Sequence, residues 1–125
     1  LLENSGMGIS IGSRSTDNTF SGNRIIANTK HGIEFRKEGD ETGAHRNRFE
    51  RNIVLNNGPG DKKEKAAIVI RGHHHDVIFH QNTIGHEKPT DKLHAGILVS
   101  PHATGFQSTE NQFRHVKTDV ARQKE

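Results

Sequence analysis

The chain has 125 residues, of which 29% are hydrophobic and 26% charged, and a formal charge of +3, so it forms one domain at most. It contains no cysteine, which excludes disulfides and thiolate metal sites, and no apolar run long enough to span a membrane. Basic and acidic residues are interspersed without a Lys/Arg run, so no nucleic-acid partner is expected, and the small positive balance favours an anionic one.

The chain opens in the middle of a unit. Leu2-Glu3-Asn4 followed by Gly8-Ile9 matches Ile26-Ala27-Asn28 followed by Gly32-Ile33 at equal spacing. The expectation is a C-terminal piece of a longer protein, with upstream coils as its first partner and catalytic residues free to lie there. Alone it would expose open strand edges at Leu1 and be marginal or associate end to end.

Gly12 to Asp17 is a small-polar turn. Asn18 to Phe35 makes the tightest unit, and Lys37 to Arg46 is a polar loop. Asn47 to Leu55 (Asn-Arg-Phe-Glu-Arg-Asn-Ile-Val-Leu) is the clearest copy of a repeated stretch. Degraded copies run from Asn18 to Ile26, from Val77 to Ile84 and from Asn111 to Val116. Loops follow at Gly58 to Lys65 and at Gly85 to His94, marked by Gly and Pro. Residues 1–116 are read as repeat, and the polar residues 117–125 as a cap or frayed end.

Phe20, Phe49, Phe79 and Phe113 stand 29, 30 and 34 residues apart. A fixed period calls for a repeat architecture. Gly8-Ile9, Gly32-Ile33, Ala67-Ile68 and Gly96-Ile97 each open a short run with apolar residues at alternate positions, the pattern of a strand with one buried face. Strands this short gain a core and a hydrogen-bond ladder only by stacking on the next repeat. The expected core is therefore one column of Phe20, Phe49, Phe79 and Phe113 and another of Ile9, Ile33, Ile68 and Ile97. Asn23, Asn52 and Asn82 fall three residues after a Phe. They suit left-handed corners, and stacked amides can bond to one another.

Asn47-Arg-Phe-Glu-Arg-Asn52, Gly32-Ile33-Glu-Phe35 and Gly96-Ile97-Leu-Val99 resemble the repeats of the right-handed parallel β-helix proteins, the group that includes pectate lyases and many bacterial β-helix repeat proteins. The expected fold is all-β: a right-handed parallel β-helix solenoid of about four coils, the hand following the usual rule for parallel crossovers. The resemblance implies a bacterial, extracellular or periplasmic protein that binds or acts on acidic polysaccharide, as a lyase, epimerase or glycoside hydrolase. Two other readings stay open: a non-catalytic structural or binding module, and a periplasmic metal-handling accessory protein.

Arg36 and Arg71 each sit three positions after the Ile of their strand, outward-facing. Two stacked guanidinium groups beside a groove would grip a uronate carboxylate. With Glu34 and His102 they form the candidate substrate-binding set, and the alternative is surface ion pairing with Glu34, Glu38 or Asp76. His73-His74-His75-Asp76 is the second candidate. In an extended chain His73 and His75 point the same way with Asp76 close, a set able to hold a divalent cation or move a proton. The acidic residues Asp40, Asp61, Asp76 and Asp91 are scattered, and no pair is placed for glycoside hydrolysis. No catalytic residue is assigned.

Overall fold

The computed structural model describes residues 8–57, 64–89 and 93–123. Thirteen strands lie among them: β1 Ile9–Ile11, β2 Thr19–Ser21, β3 Arg24–Ile26, β4 Ile33–Glu38, β5 Arg48–Glu50, β6 Ile53–Leu55, β7 Ala66–Gly72, β8 Ile78–His80, β9 Thr83–Gly85, β10 Ala95–Val99, β11 Gln107–Thr109, β12 Gln112–Arg114 and β13 Thr118–Arg122. Each strand pairs in parallel with the strand three places on. This gives three sheets, β1-β4-β7-β10-β13, β2-β5-β8-β11 and β3-β6-β9-β12. The molecule is a parallel β-helix of four three-strand coils, and β13 begins a fifth.

Residues 118–122 are therefore not a frayed tail. Ala95 stands opposite Thr118 and Ile97 opposite Val120, so the repeat continues past residue 116. Asp119-Val120 lacks the small residue followed by Ile that opens the other strands of this sheet, which hides the strand from the repeat reading. The proposed unit at Leu2 to Asn4, most of the Gly58 to Lys65 loop, and the carboxylates Asp61 and Asp91 lie outside the described residues.

The inward faces build the core. Ile9, Ile33, Ile68 and Ile97 stand in register as expected, and the last three are fully buried. Ile11, Phe35, Ile70 and Val99 form the neighbouring column. Phe20, Phe49 and Phe79 stack with ring centroids 4.7 and 4.6 Å apart and interplanar angles of 8° and 3°. That separation matches the strand spacing of a sheet, so identical side chains meet face on.

Phe113 does not join them. It pairs with Ile84 and continues the column of Ile25, Val54 and Ile84, while Ser108 stands opposite Phe79. The phenyl column is instead closed by Phe106, tilted 46° at 6.1 Å from Phe79. Asparagine carries the phase, because Asn111 follows Asn82 by 29 residues. Phe113 is thus two residues after a ladder asparagine, the place of Ile25, Val54 and Ile84.

The asparagine ladder runs through Asn23, Asn52, Asn82 and Asn111. The backbone N–H of Asn23 donates to Oδ1 of Asn52 at 2.9 Å, that of Asn52 to Asn82 at 2.8 Å and that of Asn82 to Asn111 at 2.8 Å. The Nδ2 groups of Asn52, Asn82 and Asn111 also donate back to the carbonyls of Phe20, Phe49 and Phe79, at 2.9, 2.9 and 2.8 Å. Asn18 with Asn47, and Asn28 with Asn57, repeat the device at the other two corners. These amides satisfy backbone groups that the corner would otherwise bury unpaired. The left-handed conformation falls one residue earlier than expected, at Gly22, Arg51, Gln81 and Glu110, with φ of 69°, 52°, 58° and 54°. The turning residue points outward so that the asparagine after it points in.

Candidate functional site

The long sheet has one irregularity. Phe35 pairs with Ile70 and Glu38 with Gly72, so Arg36 and Lys37 of β4 together face Arg71 of β7. Gly72 permits this bulge: its φ is +75°, and a Cβ there would come within 2.6 Å of the Glu38 backbone. The shift breaks the expected arginine pair. Arg36 turns toward the first coil, where it donates to Ser10 Oγ at 2.8 Å. Arg71 is half-buried and ion-paired with both Glu34 and Glu64. Burial pulls its pKa down from the usual guanidinium value, and the two carboxylates keep the cation compensated. Glu34 therefore serves Arg71, not Arg36, and is no free ligand group.

Beyond Gly72 the chain bends at His73, and His74 is buried between the partly exposed His73 and His75. His74 points inward and is fully buried, edge-on to Phe35 at 5.1 Å. Its Nδ1 accepts the N–H of Ala44 at 2.9 Å and its Nε2–H donates to the Arg36 carbonyl at 2.6 Å. Both bonds suit the neutral ring, and burial lowers its pKa.

His73 and His75 are both partly exposed and lie beside one carboxylate. Their acidic neighbour is Asp40, not Asp76. Asp40 Oδ1 lies 2.6 Å from His75 Nε2 and 3.3 Å from His73 Nδ1. Asp76 occupies a left-handed corner, with φ of 58°, and faces Gly105, where a Cβ would meet its Oδ1 at 2.1 Å. The corner aims its carboxylate away from the cluster. The hydrogen bond from His75 holds the Asp40 carboxyl below the usual carboxylate range.

Two features of the 39–46 segment bring Asp40 here. A Cβ at Gly43 would come within 2.1 Å of the His73 carbonyl oxygen, so only glycine lets the segment close on that strand. His45 then pins it, donating Nε2–H to the Asp40 carbonyl at 2.8 Å. His45 and His75 stack at 4.9 Å, and the N–H of His75 donates to Nδ1 of His45 at 3.0 Å. One coil on, the N–H of Thr104 donates to Nδ1 of His75 at 3.2 Å. These imidazoles accept backbone N–H groups from the next coil in the same connection that carries Asn47.

A groove of about 300 Å³ borders the cluster, lined by Lys37, Arg71, Gly72, His73, Ser100, Pro101, His102 and Gln123. His73 and His102 stack across neighbouring coils, with centroids 4.6 Å apart and planes 9° apart. The structure thus brings together Arg71 and His102 of the expected binding set. It replaces Arg36 with Lys37 and leaves Glu34 outside the lining. Ser100 and Gln123 were not foreseen. Asp40 was also missed, although Phe35 pairs with Ile70, and adding that local coil length of 35 to Asp40 lands on His75.

A family model described as right handed beta helix region matches residues 1–84. The chain belongs to the right-handed β-helix family. No curated protein and no solved structure matches it. The matched part of the β-helix ends inside β9, so it contains Lys37, Asp40, Arg71, His73 and His75. Ser100, Pro101, His102 and Gln123 come from coils beyond it.

Proposed function

We propose that this β-helix segment binds an anionic saccharide, a stretch of acidic polysaccharide, in the groove between Lys37 and His102. The observation that carries the reading is the convergence of three successive coils on one groove. Lys37 comes from the second coil, Arg71 and His73 from the third, and Ser100 and His102 from the fourth. A volume of about 300 Å³ is at the small end of ligand sites, enough for roughly one or two sugar rings of a chain lying across the coils. Lys37 supplies charge to a carboxylate, the amide oxygen of Gln123 accepts from a hydroxyl, and the rims of the stacked His73 and His102 rings wall the groove. Arg71 orders this wall through Glu34 and Glu64 and is not itself the main cation. Such a ligand is met outside the cell or in the periplasm. The reading is one of binding, and it assigns no acid or base to a reacting bond.

Calorimetry of the full chain with galacturonate oligomers and with neutral galactose oligomers of equal length tests the reading. The acidic oligomers should bind and the neutral ones bind more weakly, with the difference shrinking as salt rises. Equal binding of both, or of neither, would overturn it.

A further inference from the structure

We propose that Asp40, His73 and His75 form a binding site for a divalent transition-metal ion, for which Zn2+ is the probe. The inference does not depend on the saccharide reading. One ligand atom from each residue, an imidazole nitrogen from His73 and from His75 and a carboxylate oxygen from Asp40, lies within 4.8 Å of the other two. Two imidazoles and a carboxylate form a borderline donor set, suited to zinc, copper or nickel and poorly suited to calcium or magnesium.

The distances are close to what such an ion needs. Donors about 2.0–2.1 Å from a tetrahedral centre stand roughly 3.3 Å apart. His73 Nδ1 and Asp40 Oδ1 are already 3.3 Å apart, and His75 Nε2 and Asp40 Oδ1 must open from 2.6 Å. The carboxylate of Asp40 is exposed, so the needed movement is a side-chain rotation. Its backbone stays held by His45, and His73 is held by its stack on His102. Ligands fixed in this way lose little freedom when the ion arrives.

Binding carries one cost. The His75 ring now bears its proton on Nε2, because Nδ1 accepts from Thr104 N–H. A metal on Nε2 moves that proton to Nδ1. Thr104 Oγ1 lies 2.8 Å from Nδ1 and becomes its acceptor, the outer-sphere partner that a ligating histidine requires. The 3.2 Å bond from the Thr104 N–H is lost in the exchange. Three protein ligands leave a fourth position for water or a ligand oxygen. His73 also lines the groove, so that position adjoins it.

Ten histidines give this chain weak metal affinity in any conformation, and His73-His74-His75 would chelate even unfolded. Asp40 separates the two cases, since it meets the histidines only in the folded coil. Zinc titration of the full chain by calorimetry should show one site per chain. Asp40→Asn and His73→Gln should each weaken it about tenfold or more. Asp40→Asn keeps the backbone carbonyl that His45 uses, so the fold is retained, and circular dichroism checks this. Zinc should also raise the unfolding temperature of wild type more than that of Asp40→Asn, as binding restricted to the native state requires. Zinc affinity unchanged in Asp40→Asn, or the absence of a saturable site, would overturn the proposal.

Discussion

Asn82 holds Asn52 twice: its Oδ1 accepts the backbone N–H of Asn52 at 2.8 Å and the Nδ2 of the same residue at 3.1 Å. Both side chains are buried. The first bond ties one coil to the next at a corner, between the backbone bonds from Arg51 N–H to the His80 carbonyl and from Thr83 N–H to the Asn52 carbonyl. Replacing Asn82 by Ala strands the buried Asn52 N–H and removes the 2.9 Å bond to the Phe49 carbonyl. Each group left unpaired costs about 1–3 kcal/mol. Asn82→Ala should therefore lower stability by roughly 3 kcal/mol, and Asn111→Ala, half-buried, by about 1 kcal/mol. Chemical denaturation midpoints compare the two. Equal losses would mean that the amides are not the ties between coils.

Phe49 packs between Phe20 and Phe79 and is fully buried. Phe49→Ala should cost about 3–5 kcal/mol. Phe113 is only half-buried and packs in the aliphatic column, so Phe113→Ala should cost less than half as much. A reversed order in urea denaturation would put the phase of the last coil in error.

The columns were legible in the sequence because each is a side chain recurring at coil spacing. Ile33, Ile68 and Ile97 show it, and so do Phe20, Phe49 and Phe79. The last coil was misread because Phe113 draws the eye more than Asn111, although the corner amide is what holds the phase. The site was only half legible. His73 and His75 stand out in the sequence, but the bulge at Arg36 and Lys37 follows from the Gly72 conformation and not from any alternation of residue types. Asp40 reaches the histidines across 33 and 35 residues of chain, through a close approach that Gly43 alone permits. Glu34 meets Arg71 across 37 residues, a contact between coils, whereas Glu64 reaches it from seven residues earlier on the same chain segment.

His74 makes stability depend on pH. Burial depresses its folded-state pKa below the unfolded value of about 6.5. The neutral ring's contribution is complete above that unfolded value and is lost as pH falls from about 6.5 through the folded value. His74→Gln preserves an acceptor for Ala44 N–H and a donor for the Arg36 carbonyl without a titrating group. The variant should lose less stability than wild type between about pH 7 and pH 5. Parallel curves from thermal unfolding across that range would contradict this.

In the groove, Lys37→Ala should weaken an acidic oligosaccharide several-fold and flatten the salt dependence of binding, leaving stability within about 0.5 kcal/mol of wild type. Arg36→Ala, on the first-coil side of the bulge, should leave the affinity unchanged. Calorimetry at two salt concentrations measures both variants. A larger effect from Arg36 than from Lys37 would restore the paired-arginine arrangement that the register shift removes.

The most direct test of the saccharide groove is an NMR titration of the isotope-labelled full chain with galacturonate oligomers, following backbone amides and histidine rings. Shifts should concentrate at Lys37, Arg71 to His73, Ser100 to His102 and Gln123, and move together with one saturation curve. Shifts centred instead on the smaller groove of about 200 Å³ bordered by Ala66, His94, Leu98 and Ala121, or no saturable shifts at all, would contradict the account.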